Sequence, residues 1–64
     1  RGQGLHHIAF GVDDIYKAVD ILKTRGVTLT DEQPREGLTG IINFVHPRAA
    51  QGVLIELVQP YPSQ

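Results

Sequence analysis

Bulky and small or polar side chains alternate through Leu5-His6-His7-Ile8-Ala9-Phe10-Gly11-Val12. A strand here places His6, Ile8, Phe10 and Val12 on one face and His7, Ala9 and Gly11 on the other. The second face is cleared of bulk around one histidine. Helical spacing then takes over: Ile15, Ala18, Val19 and Leu22 recur on one stripe, while Lys17, Asp20, Lys23 and Thr24 face mostly elsewhere. Asp13 or Asp14 can accept hydrogen bonds from the free amides at the helix start. Lys23 and Arg25 complement the carbonyls of its last turn, and Gly26 can take the left-handed conformation that ends it.

The extended pattern returns in Val27 to Thr30, which reads as a short strand, and Asp31 to Gly40, with Pro34, Gly37 and Gly40, reads as a loop. Ile41 to Val45 is again extended until His46-Pro47, because proline supplies no ladder donor and restricts the residue before it. Arg48 to Gly52 is expected as a turn, Val53 to Gln59 as the last strand, and Pro60 to Gln64 as an irregular tail. The order is βαβββ. The fold class that follows is α+β: a single module with a four-stranded mixed sheet and one helix covering one face.

Beneath the helix the expected bulky sets are Ile8, Phe10 and Val12 with Val53, Ile55 and Leu57, joined by Ile42 and Phe44. The opposite face is expected to carry His7, Ala9, Gly11, Leu54, Glu56 and Val58, with Ile41, Asn43 and Val45. That face is too apolar to be solvated throughout, so a second sheet is expected over part of it.

At 64 residues without cysteine, the chain is one small domain lacking the usual staples, which makes oligomerisation or a covalent neighbour the expected source of missing core. Because it begins at Arg1 with strand-like sequence almost at once, the expectation is half of a complete site or a fragment of a longer chain. A net charge of -1 with dispersed basic residues leaves no nucleic-acid footprint, and no apolar run approaches a membrane span. The absence of a secretory pattern and of cysteine makes the cytoplasm the default location.

Glu56 stands alone in the apolar run Val53-Leu54-Ile55-Glu56-Leu57-Val58, where an unpaired carboxylate would be costly to bury. With His7 it makes half of a candidate divalent-metal site. The bland alternatives are a strand histidine satisfied by backbone or water and an edge carboxylate without function. His6 shares the bulky face and reads as structural, and His46 reads as a turn marker. Arg35 and Arg48 are candidate phosphate contacts, since a guanidinium offers charge and a matched donor fork, although solvated loop arginines are commoner. Asn43 is a candidate polar contact to substrate, and Asp31, Glu32 and Glu36 are loop acids without an assigned partner.

Five phrases carry a resemblance over nearly the whole chain: Gly4-Leu5-His6-His7-Ile8-Ala9-Phe10, Val12-Asp13-Asp14-Ile15, Pro34-Arg35, Phe44-Val45-His46-Pro47-Arg48 and Gly52-Val53-Leu54-Ile55-Glu56-Leu57. In that order they resemble the vicinal oxygen chelate superfamily, also called glyoxalase/bleomycin-resistance/dioxygenase, and within it the second module of the methylmalonyl-CoA epimerase family. The resemblance implies paired βαβββ modules around a metal cleft. It selects His7 and Glu56 as one module's ligands for cobalt, zinc, nickel or manganese. It further implies proton abstraction next to the thioester carbonyl of an acyl-CoA, with a metal-stabilised enolate and Glu56 among the proton-moving carboxylates.

The family's first module has no counterpart in these residues. Two copies related by a two-fold axis would supply two histidines and two carboxylates, where the family pattern has a glutamine in place of one carboxylate. Two other readings stay open: a glyoxalase-like lyase or isomerase, and a noncatalytic module that binds a small ligand, as resistance proteins of this fold do.

Overall fold

The computed structural model describes residues 6–62. The expectations placed on Arg1, on the Gly4-Leu5 start of the first strand and on Ser63-Gln64 of the tail lie outside the described residues. The elements are β1 (His6–Gly11), α1 (Ile15–Thr24), β2 (Arg35–Glu36), β3 (Gly40–Val45), a 3-10 turn (Pro47–Ala50) and β4 (Val53–Pro60). The sheet runs in the order β1-β4-β3-β2, with β1 parallel to β4 and the other pairs antiparallel. The mixed four-stranded sheet with one helix is the expected α+β module. No helix among the described residues is long and apolar enough to cross a membrane.

Helix α1 is fixed at both ends by local chemistry. Asp14, not Asp13, is the N-cap: its extended backbone lets the side chain accept the Lys17 amide at 3.1 Å. A second free amide, that of Ile15, donates to Oε1 of Gln59 at 2.9 Å, which ties the helix start to β4. At the other end Arg25, Gly26 and Val27 donate to the carbonyls of Ile21, Lys23 and Leu22, with Gly26 at φ +83. The helix lies over β3 and β4 and buries Ile15 and Val19 against Leu57, with Val12, Leu22, Leu29 and Ile41 packed around them.

Three expectations change. The second strand in chain order is Arg35–Glu36, not Val27 to Thr30. That segment makes a single bridge, Leu29 to Val45, and the ladder resumes only at Arg35–Glu36 against Ile41 and Ile42. Between them, Asp31 to Pro34 leaves the edge, as a proline without an amide hydrogen allows. Asn43 stands in for the missing strand backbone. Its Oδ1 accepts from Asp31 at 3.3 Å and from Phe44 at 2.8 Å, and its Nδ2 donates to the Asp31 carbonyl at 3.2 Å.

The faces of β3 are also reversed. Asn43 is in register with Leu57 and Val45 with Ile55, so Ile41, Asn43 and Val45 lie on the helix side. Phe44 is in register with Glu56 and Ile42 with Val58, on the opposite side. Bulk misled because both faces of this strand are apolar, and the one residue chosen as polar and open is the fully buried Asn43. Finally, Ile8 and Phe10 lie on the helix face of β1 but are 45% and 51% exposed, because α1 crosses the β3–β4 half of the sheet and leaves β1 uncovered. Only Val12, where the chain turns toward α1, reaches the core.

Close approach of β3 to β4 requires Gly40, where a Cβ would collide with the Gln59 carbonyl. The Asp31–Arg35 ion pair bridging the gap in the edge strand is exposed and contributes little, whereas the Asn43 side chain is fully buried and its amide is satisfied by the clamp. Asn43→Ala is therefore expected to destabilise the fold by about 1–3 kcal/mol, and Arg35→Ala by less than about 1 kcal/mol, read from denaturant midpoints; equal effects would remove the clamp. Ile15→Ala, at the most buried helix position, should cost about 2–5 kcal/mol, and Leu22→Ala less.

Candidate metal centre

Parallel pairing of β1 with β4 sets His7 in register with Leu54 and Ala9 with Glu56. The two candidate ligands are thus diagonal neighbours on adjacent strands, on the sheet face away from α1. Their side chains meet: His7 Nε2 lies 2.9 Å from Glu56 Oε1. The imidazole is half exposed and the carboxylate 19% exposed, so the pair sits at the floor of an open surface rather than inside the core. On one flank of Glu56 stands Ala9, followed along β1 by Gly11, which keeps the space above the pair free of side chains. On the other flank stands Phe44, whose ring centroid is 6.4 Å from that of His7 at a tilt of 38°.

Apolar neighbours and a single hydrogen-bonding partner leave Glu56 with fewer contacts than a structural carboxylate normally secures. His7 Nε2 and Glu56 Oε1 share a hydrogen bond, and Oε2 has no hydrogen-bond partner among the described residues. Nitrogen and carboxylate oxygen bind divalent ions at about 2.0–2.2 Å, so two such donors on one ion stand about 3 Å apart at a right angle and about 3.4 Å at the tetrahedral angle. The observed 2.9 Å fits adjacent positions on one ion with little movement of either side chain. The donor set is half complete. No group of three or more His, Cys, Asp or Glu side chains converges among the described residues.

The remaining candidates separate. Asn43 is buried on the helix side and held by Asp31 and Phe44, so it cannot touch a ligand above the sheet; this corrects its assignment as a substrate contact. Arg35, in register with Ile42, falls on the same face as Phe44, with its Nε donating to Asp31 Oδ2 at 3.1 Å. Arg48 lies on the 3-10 turn, beside a pocket shared with His46. His6, one residue before His7, is on the opposite face and exposed. Glu32 pairs with Lys23 at 3.9 Å. Sequence reasoning missed Phe44 and Ile42 as part of the ligand face. No signal in the sequence separates them, because both parities of β3 carry large apolar residues and only the register with β4 decides which of them shares the face of Glu56.

Because the pair is exposed, its structural worth is small. His7→Ala and Glu56→Gln should each change unfolding free energy by no more than about 1 kcal/mol, measured in denaturant; a larger loss would identify the pair as a structural tie.

The chain matches the glyoxalase/bleomycin resistance protein/dioxygenase superfamily over residues 1–45. It is 44% identical over 55 residues to a mitochondrial methylmalonyl-CoA epimerase of Dictyostelium discoideum, covering 84% of this chain and 33% of that protein. A probable lactoylglutathione lyase of Vibrio cholerae is 43% identical over 60 residues, covering 92% of this chain and 42% of that protein. Among solved structures, a variant of Streptomyces coelicolor methylmalonyl-CoA epimerase in complex with 2-nitronate-propionyl-CoA superposes with a TM-score of 0.82 at 40% identity, covering 89% of this chain and 41% of that one. The chain spans less than half the length of each of these relatives.

Proposed function

Because the chain belongs to the glyoxalase/bleomycin resistance protein/dioxygenase superfamily, we propose that it is one module of a metal-dependent epimerase acting on methylmalonyl-CoA. The observation that carries this reading is the 2.9 Å approach of His7 Nε2 to Glu56 Oε1 on an otherwise apolar, uncrowded sheet face. His7 and Glu56 are the residues that would hold a divalent ion such as cobalt, zinc, nickel or manganese. The ion, when bound, supplies Lewis acidity to the thioester carbonyl beside the reacting carbon.

The chain's own residues orient and move the proton. Glu56 is the carboxylate that would take or return the proton at the carbon next to the carbonyl, and His7 beside it orients it until an ion takes the place of their hydrogen bond. Phe44 stands in register beside the carboxylate, and Ala9 and Gly11 leave the opposite side open for the acyl group. Two donors do not complete a site, so a companion must contribute the rest. It is either a second module of a longer chain or a second copy related by a two-fold axis, which would place two histidines and two carboxylates together. A cytoplasmic location belongs to the same proposal.

A second reading rests on the lactoylglutathione lyase relative, which is as similar to this chain as the epimerase. The same imidazole, carboxylate and ion would there serve a lyase or isomerase of glyoxalase type. A noncatalytic ligand-binding module is the third reading, and indifference to metal is its mark. Titration with cobalt, followed by its visible absorption bands, should show binding that falls at least tenfold in His7→Ala and in Glu56→Gln. Cobalt affinity unchanged by both variants overturns the ligand assignment. Loss of the proton next to the thioester carbonyl, followed by NMR of methylmalonyl-CoA in deuterated water with metal supplied and then chelated, tests the reaction. Exchange that requires metal supports the epimerase; a metal-loaded assembly without exchange but active on a hemithioacetal supports the lyase.

A further inference from the structure

One large side chain on the ligand face stands next to both candidate ligands. Phe44 is in register with Glu56 on the neighbouring strand and shares the face of His7. His7 is two strands and two residues away from it, about 12 Å at the backbone in a regular sheet. The ring centroids are nonetheless 6.4 Å apart at a tilt of 38°. The two rings therefore lean toward each other across β4, the strand that carries Glu56, at a separation typical of packed aromatic pairs.

Phe44 is itself held in place. The Thr30 amide donates to its carbonyl at 2.9 Å, and its own amide donates to Oδ1 of Asn43 at 2.8 Å. Both bonds are made on the side of the broken edge strand, so the clamp that closes that edge also fixes the backbone beneath the ring.

His7 has no comparable hold. It lies on an exposed strand, its same-face neighbour on β1 is Ala9, and its imidazole is half exposed. A histidine that binds a metal through one ring nitrogen is ordinarily oriented by a hydrogen bond from the other. Among the described residues Nδ1 of His7 makes no such bond; the ring's hydrogen bond runs through Nε2 to Glu56 Oε1. An ion held by Nε2 would take the place of that bond. Ring packing against Phe44 would survive the exchange.

We propose that Phe44 is a positioning residue of the metal centre: it holds the His7 imidazole with Nε2 directed at the ion, a task usually done by a hydrogen bond at the other nitrogen. This role, which rests on the reading of His7 and Glu56 as metal ligands, is exercised through His7 and requires no contact with the ion. Asn43, buried on the opposite face, supports it by fixing the backbone of Phe44.

Two measurements on the intact chain in its native assembly test this role. In the metal-free protein, NMR couplings of the His7 side chain should report one rotamer in the wild type and averaging in Phe44→Ala. Leu22→Ala, which removes core bulk on the other face of the sheet, should lose stability but keep the single His7 rotamer. Cobalt affinity, followed by its visible bands, should fall about tenfold in Phe44→Ala, stay unchanged in Leu22→Ala and return in Phe44→Tyr, which keeps the ring. Altered band intensities should accompany the fall, since a redirected imidazole changes the geometry around the ion. Phe44→Leu, which keeps bulk but not the ring, is read in the same way if Phe44→Ala fails to fold. His7 averaging over rotamers in the wild type, or one rotamer in Phe44→Ala, overturns the role. Cobalt held through His7 and Glu56 with equal affinity in wild type and Phe44→Ala also overturns it, and leaves the metal reading standing. A single His7 rotamer that depends on Phe44, in a protein that binds no cobalt, supports the hold on His7 and overturns the metal reading.

Discussion

Everything the candidate site can do depends on the register in which β1 lies parallel to β4. With Ala9 opposite Glu56 and His7 opposite Leu54, the imidazole and carboxylate are diagonal neighbours on one face. A slip of one residue would carry Glu56 to the side of the sheet where Leu57 is buried under Ile15 and Val19. An unpaired carboxylate there would cost several kcal/mol, so the apolar core and the site select the same alignment. The Val12 amide bonds the Val58 carbonyl at 2.8 Å, and Gln59 on β4 caps α1 through Ile15. The helix is therefore pinned to the strand that carries Glu56, and its first turn reports the register of that strand.

On the far edge of the sheet the same economy is achieved by a side chain. The β2 edge is broken by Asp31 to Pro34, and Asn43 satisfies the groups that a continuous strand would have satisfied. An amide side chain has the donor and acceptor of a peptide group, which is why it can sit fully buried without an orphaned atom. It also explains the spacing of polar residues in Gly40–Val45, where an asparagine in a strand core looked like a residue kept for a ligand.

Periodicity read the helix well, because Ile15, Val19 and Leu22 can share a stripe only in a helix, and capping residues bracket it. The pairing of His7 with Glu56 was legible for a similar reason: each was the one polar side chain on a strand face, and two-residue alternation fixes faces without knowledge of the partner. Alternation does not say which face is covered. On β3 both parities carry large apolar residues, so the choice between Phe44 and Val45 for the core depended on a register that only the folded sheet supplies. The broken edge strand was illegible for a different cause, since it is held by contacts between residues twelve apart, and local propensity at Val27 to Thr30 records none of them.

Exposure of β1 joins the energetic and the chemical sides of the molecule. Every residue of that strand is exposed, including Ile8 and Phe10, and its edge away from β4 pairs with nothing among the described residues. Among the described residues the buried apolar side chains are Ile15, Val19, Val45 and Leu57, a small core for a domain of this size. The opposite face of the same strand presents His7, one of two donors in a set that needs more. A single companion beside β1 would answer both deficits, by covering apolar strand and by bringing further ligands to the ion. The shortage of core and the shortage of ligands meet at one strand: the helix covers β3 and β4, and nothing in the described residues covers β1 on either face.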